Sequence, residues 1–385
     1  MYRKTYIKIN EQTLTDNVSE ITSTYPEYQY YFGVVKGNAY GHGMHIVNAL
    51  IKGGVNYLAV ATLEEAAAIR EFNTEIPILC LEPIDLEHLE DIIKLNVTLT
   101  VDSLAYFKEL NEAAPKEQIN VHIKLDTGMN RLGIKDKDEL DTLYLLDRHE
   151  NVFIEGIYTH LATSGVNDEY YDIQMEKFLF LTRNIDLSLI PIVHVGRSLI
   201  LVHHKKPDFV NGVRLGICMY GFSQSLSMPT GIRKFKRDLL LKFKHISPSI
   251  LQNSLKLKTA FSLHSTVLSV KRVKKGEFVG YGAAFKAKED MNVATVAIGY
   301  YDGMNAALGK VIVNGKVCPI LGELCMDMTL IKVPNSTAVG DDVEIFGEKI
   351  TVRQAARNAH SSAYKMLTGI TSRVPRVYGD EEYYL

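Results

Sequence analysis

Lys36 closes an apolar run, Tyr30–Val35, and opens a glycine-rich one, Gly37-Asn38-Ala39-Tyr40-Gly41-His42-Gly43. The first run reads as a buried strand and the second as a turn leading into a helix. A lysine at that boundary sits between core and solvent, where partial desolvation favours the neutral amine that attacks carbonyl carbon. Asp126, His160, the His194–Ser198 turn and Arg214 fall at or near the ends of other apolar runs. A lysine, arginines and tyrosines at strand ends handle anions and carbonyls. Such a set suits pyridoxal phosphate carried on a lysine.

Other chemistries lack their signatures. There is no Walker A loop, no GxGxxG after a strand, no GxSxG elbow and no HExxH. His203-His204 has no carboxylate or cysteine at useful spacing, so it reads as a helix face, and no metal is expected. Cys80, Cys218, Cys318 and Cys325 are scattered without a CxxC pair, which suggests reduced thiols in a cytoplasmic protein. A formal net charge of −2 gives no reason to expect nucleic acid or a membrane surface as partner. The N-terminus lacks a signal-peptide core, and no run is long enough to span a bilayer.

Those strand ends must be positioned by a repeating scaffold, and the sequence supplies one. Short apolar runs begin at Tyr30, Tyr57, Pro77, Val97, Val121, Phe153, Pro191 and Phe209. Amphipathic segments follow the first seven, at Met44–Lys52, Leu63–Phe72, Leu86–Leu95, Leu104–Ala113, Lys137–Arg148, Glu169–Arg183 and Leu199–His204. The alternation predicts an α/β protein with a parallel (β/α)8 TIM-like barrel over residues 1–222. A connector, 223–255, is rich in Ser, Met and Pro and then basic. Residues 256–385 read as a C-terminal mostly-β domain, with Asn314-Gly315 as a two-residue hairpin turn and a helix at Val352–Ala359.

Eight motifs, in order and spanning nearly the whole chain, resemble the alanine racemase family. They are Val35-Lys36-Gly37-Asn38-Ala39-Tyr40-Gly41-His42-Gly43, His122–Gly133, Tyr158-Thr159-His160 and Val213–Ile217 with Tyr220-Gly221. Val279–Ala283, Ile298–Gly303, Cys325-Met326-Asp327 and Arg373–Tyr378 complete the series. The resemblance implies a pyridoxal phosphate-dependent amino-acid racemase acting on a small amino acid. The expected reaction interconverts L- and D-alanine and supplies D-alanine for peptidoglycan.

Roles carry over residue by residue from that resemblance. Lys36 carries the cofactor and is one base. Tyr281, given by the C-terminal domain to the partner subunit of a homodimer, is the other base on the opposite face. Arg214 faces the pyridine nitrogen; an arginine keeps its protons, so the ring is a weaker electron sink, which favours racemisation over transamination. His160 links Arg214 and Tyr281. Tyr40, Ser198, Tyr364, Gly216 and Ile217 hold the phosphate, Ser198 from the start of a helix. Arg131 and the Met326 N–H, again across the dimer, orient the substrate, and a carbamylated Lys124 steadies Arg131.

The sequence departs from the family pattern at four places. Gly37 stands where Ala is usual, and Arg197 where Asn commonly precedes the serine. Ala306 and Glu323 stand where basic residues line the substrate's access path. The departures at Arg197, Ala306 and Glu323 make a serine or broad-specificity racemase, or a low-activity paralogue that only binds the cofactor, the alternative expectations; Gly37 is a small one.

Overall fold

Strands buried on both faces read as continuous apolar runs, and eight of them close on one another here. A computed structural model of the chain describes residues 3–146, 148–163, 169–222 and 255–379, together with Phe235 and Leu239. Two units emerge: Leu14–Gly37 with Val47–Lys258, and Met1–Thr13 with Asn38–Ile46 and Thr259–Leu385. After an opening strand β1 (Tyr6–Ile9) come the barrel strands β2 (Tyr30–Val34), β3 (Tyr57–Val60), β4 (Ile78–Cys80) and β5 (Val97–Val101). β6 (Ile119–Leu125), β7 (Val152–Thr159), β8 (Ile192–Arg197) and β9 (Gly212–Leu215) come next. Each pairs in parallel with its successor, and β2 pairs with both β3 and β9, so Phe32 faces Tyr57 on one side and Arg214 on the other.

The barrel's helices start on side-chain caps that the sequence supplies. Thr62 accepts from the Glu65 N–H ahead of Leu63–Arg70, Ser103 from Tyr106 ahead of Leu104–Glu112, and Asp136 from Glu139 ahead of Lys137–Leu145. Most barrel-strand residues are buried, and Lys36, His160 and Ser198 lie just past the ends of β2, β7 and β8. The (β/α)8 expectation is met. The eighth strand is shorter than its apolar run, ending at Leu215, because Gly216–Tyr220 turns away. Most of the expected connector, 223–255, lies outside the described residues.

The second unit is built on a mixed sheet. Its strands are β10 (Phe261–Val273), β11 (Phe278–Val279), β12 (Phe285–Lys286), β13 (Met291–Val296) and β14 (Lys310–Val313). β15 (Lys316–Pro319), β16 (Thr329–Val333), β17 (Asp342–Phe346) and β18 (Arg376–Tyr378) complete the set. β14 and β15 form the hairpin expected at Asn314-Gly315, both residues having positive φ as a type I′ turn requires.

β1 belongs to this sheet, antiparallel to β10 and parallel to β18, which differs from a barrel domain running from residue 1. The reason is burial: Ile7 and Ile9 alternate into the core beside Leu263 and Val377. β11 and β12 form a separate two-stranded hairpin whose tip carries Tyr281. Val279 and Phe285 root it in a cluster with Ala287, Met291, Val293 and Leu321.

Candidate active site

Lys36 lies two residues past the end of β2 and is half-buried. The turn it enters is held at its start by Glu65, whose carboxylate accepts the Gly37 N–H at 2.6 Å and the Ala61 N–H at 2.8 Å. Gly37, Asn38, Ala39 and Tyr40 all have φ between 52° and 65°. Helix follows at Met44–Ile46 and Val47–Gly53, so the segment expected as a turn into a helix is a turn, wound left-handed. Such a conformation costs roughly 1–2 kcal/mol for each residue bearing a Cβ. Glycine at position 37 lowers that cost by one residue. Gly37→Ala, the family's usual residue, should lose about 1 kcal/mol of stability, read as a lower denaturant midpoint with an unchanged m-value.

Past the turn, the chain is fixed within the second unit. Arg376 Nε donates to the Gly41 carbonyl at 3.0 Å, and the Tyr378 hydroxyl to the His42 carbonyl at 3.1 Å. A Cβ on Gly41 would meet the Leu367 carbonyl oxygen at 2.3 Å, so only glycine passes there. The rings of Tyr40 and Tyr364 lie 5.8 Å apart, bringing the two expected phosphate-contacting tyrosines together. Tyr364 sits on a short helix, Ala363–Thr368, that the sequence reading did not place.

On the barrel rim, Arg214 at the end of β9 is 3% exposed. Its Nη1 lies 2.6 Å from His194 Nδ1, and its Nη2 donates to the Thr159 carbonyl at 2.6 Å and approaches His160 Nδ1 at 3.4 Å. The guanidinium lies over the face of Tyr158, 5.1 Å from its centroid. Burial pulls its pKa down to about 10, which leaves it protonated at neutral pH. The Gly216 N–H donates to Ser198 Oγ at 2.9 Å, joining the turns after β8 and β9, and Ile217 is buried beside them. The Arg197 side chain lies outside the described residues.

Lys124, in β6, is 5% exposed, and its ammonium lies 4.8 Å from the centroid of the same Tyr158 ring. Burial, then the charges of Arg214 and Arg131, push its pKa down to about 7. Arg131 itself is exposed, on a loop folded back on β6: Asp126 accepts the Gly128 and Asn130 N–H groups, and the Ile134 N–H donates to the Lys124 carbonyl.

A lysine so shifted makes stability depend on pH. The unfolded lysine holds its proton to about pH 10.5, the folded one only to about pH 7. Between those values the unfolded chain binds more protons, so stability rises with pH. In CO2-free buffer, where the amine is free, urea titrations should show wild type gaining on Lys124→Met from about pH 7 to about pH 10. A constant difference would place the amine in water.

In the second unit, Tyr281 opens a short 3-10 turn between Gly280 and Gly282, both at positive φ, and is 65% exposed. Met326 is 55% exposed, on a loop stitched to residues 299–303. Tyr300 and Tyr301 donate their N–H groups to the Cys325 and Met326 carbonyls at 3.0 and 2.9 Å. A Cβ on Gly299 would lie 2.4 Å from that loop's backbone.

Sequence reading missed what clamps these loops. Arg3 forks onto the buried Asp302 carboxylate at 2.5 and 2.7 Å and also donates to the Ala297 and Asp327 carbonyls. Arg373 Nε approaches the same carboxylate at 3.4 Å.

The residues fit pyridoxal phosphate. A lysine amine, a guanidinium that can only donate, and a serine hydroxyl beside buried backbone amides meet at one barrel rim. Among the described residues no group of three or more His, Cys, Asp or Glu could hold a metal ion. No described helix is long and apolar enough to cross a membrane.

Comparison with known proteins agrees. The family model described as "Alanine racemase, N-terminal domain" matches residues 9–224, and "Alanine racemase, C-terminal domain" matches 260–378. An alanine racemase of Anoxybacillus flavithermus is 35% identical over 390 residues, covering 98% of this chain and 95% of that one. Among solved structures, alanine racemase from E. faecalis superposes with a TM-score of 0.87 at 31% identity, covering 98% and 99% of the two chains. Alanine racemase from Bacillus anthracis, solved with bound L-Ala-P, gives 0.86 at 31% identity, covering 99% and 96%.

Proposed function

Because the chain belongs to the alanine racemase family, a family of pyridoxal phosphate-dependent racemases, we propose that it interconverts L- and D-alanine with Lys36 and Tyr281 as its two bases. The observation that carries the reading is the constellation at one barrel rim: Lys36 after β2, Lys124 on β6, His160 after β7, Ser198 after β8 and Arg214 on β9. Pyridoxal phosphate, when bound, supplies an electrophilic carbon for the amino group and a ring that withdraws electrons from Cα.

The chain's own residues do the rest. Lys36 holds the cofactor and exchanges a proton on one face of Cα. Tyr281 exchanges it on the other, so inversion needs no rotation of the substrate. Arg214 presents only N–H groups and leaves no acid to protonate the ring nitrogen, which keeps proton return at Cα fast. Ser198, the Gly216 and Ile217 amides, Tyr40 and Tyr364 receive the phosphate. Arg131 and the Met326 N–H receive the substrate carboxylate.

The neutral, buried amine of Lys124 suits carbamylation. Its nitrogen lone pair bonds to the carbon of CO2 and the lost N–H proton goes to water, which converts a neutral amine beside Arg131 into an anion.

Tyr281, Met326, Phe278, Tyr300 and Tyr301 are all exposed, and Tyr300 and Tyr301 are joined to the Met326 loop by their N–H groups. So many exposed apolar and aromatic side chains support covering by a second copy, and the active protein is then a homodimer in which each copy lends Tyr281 to the other. Its role is then to make D-alanine in the cytoplasm for peptidoglycan. Exposed Ala306 and Glu323, where the family's access path is basic, favour a second reading in which serine or a wider set of amino acids is also accepted.

Tyr281→Phe removes one proton carrier without disturbing the lysine. Racemisation should fall on the order of 10²- to 10⁴-fold, followed by D-amino-acid production, with the bound cofactor's absorbance retained. Wild-type turnover in that variant would remove Tyr281 from the mechanism.

A further inference from the structure

His122 on β6 and His194 on β8 are fully buried and have no part in the proton transfers above. They connect Arg214 to a carboxylate. Arg214 Nη1 lies 2.6 Å from His194 Nδ1, His194 Nε2 lies 2.9 Å from His122 Nδ1, and His122 Nε2 lies 3.0 Å from Glu155 Oε2. Glu155 also accepts from the Tyr57 hydroxyl at 2.8 Å and from Asn120 Nδ2 at 3.3 Å.

The two ends of this chain set its direction. A guanidinium only donates and an ionised carboxylate only accepts. Burial drives both histidines towards the neutral form, reinforced at His194 by the charge of Arg214 and outweighing at His122 the opposite pull of Glu155. Burial would raise the Glu155 carboxyl, but the hydrogen bonds from His122 and Tyr57 outweigh it and hold the carboxylate ionised. A neutral imidazole has one N–H. One assignment then satisfies every link: His194 Nδ1 accepts from Arg214, His194 Nε2–H donates to His122 Nδ1, and His122 Nε2–H donates to Glu155. The opposite tautomers would point the His194 Nδ1–H at the guanidinium N–H.

Packing leaves the rings little other freedom. His194 is stacked between Phe32 and Tyr158, at 4.5 and 4.6 Å between centroids and within 13° of parallel. His122 occupies the space opposite Gly156, where a Cβ would come within 2.6 Å of the imidazole.

We propose that Glu155 is a positioning residue for Arg214: by accepting from His122 it fixes both imidazoles as Nε2–H tautomers and leaves His194 Nδ1 as the acceptor that aims the guanidinium. The effect on catalysis rests on the placement of Arg214 against the cofactor ring proposed above; the tautomers do not.

The test is a long-range 1H–15N spectrum of the histidine rings in the holoenzyme at neutral pH, assigned with His122→Gln and His194→Gln. Both rings should show a protonated Nε2 and a bare Nδ1; a protonated Nδ1 on either overturns the proposal. Glu155→Gln keeps an acceptor oxygen and should keep both tautomers, with kcat within about threefold of wild type. Glu155→Leu should lose the His122 pattern and lower kcat by about ten- to a hundredfold with little change in KM. Wild-type tautomers and kcat in Glu155→Leu overturn the proposal. If that variant does not fold, the wild-type and Glu155→Gln spectra decide. Expected tautomers in a protein that does not racemise alanine support the positioning network and sink the functional reading alone.

Discussion

A guanidinium buried to 3% exposure needs an acceptor for its N–H groups and a surrounding that tolerates its charge, and much of the barrel interior answers Arg214. Its direct partners are His194, the Thr159 and His194 carbonyls, His160 and the face of Tyr158. Tyr158 in turn serves two cations, since Lys124 lies over the same ring. The two positive groups compete, and the lysine yields: its proton is held to about pH 7, that of Arg214 to about pH 10. Burial first, and the buried cation at the end of β9 second, thereby set the charge of an amine on β6.

Lys36 depends on a different constraint. Four successive residues in the left-handed region persist only where their surroundings over-determine them. Here Glu65 holds the start of the turn, while Gly41 and Gly43 thread past the Leu367 carbonyl and the Tyr378 hydroxyl further on. Tyr40 is thereby brought beside Tyr364. A right-handed helix after Lys36 would carry Tyr40 elsewhere. The loop pair bearing Tyr300 and Met326 shows the same logic, with Arg3 and Asp302 as its clamp.

Features set by neighbours in sequence were legible from it. The Asn314-Gly315 hairpin, the capped helices and the alternation of strands around the barrel all arise from local pattern. Arg214 and His160 stood out through their motifs. The rest depended on partners far along the chain. Arg3 meets Asp302 across 299 positions, and nothing in either segment announces the other. β1 looks like any short strand until β10 and β18 flank it. His122 and His194 lie inside apolar strands, where a histidine reads as a satisfied core residue; only their spacing across β6 and β8 makes them a chain. The turn after Lys36 was legible from its glycines, but not its left hand, because Asn, Ala and Tyr give no local sign of positive φ.

Racemisation by two bases on opposite faces of Cα is tested most directly by isotope transfer from solvent. The purified protein, with pyridoxal phosphate and L-alanine in deuterium oxide, should yield D-alanine carrying deuterium at Cα before the recovered L-alanine acquires it. Each base returns protons only to its own face, and the base that delivers the new proton carries deuterium from solvent. Equal labelling of both enantiomers from the first turnovers, or no D-alanine at all, would contradict the two-base mechanism.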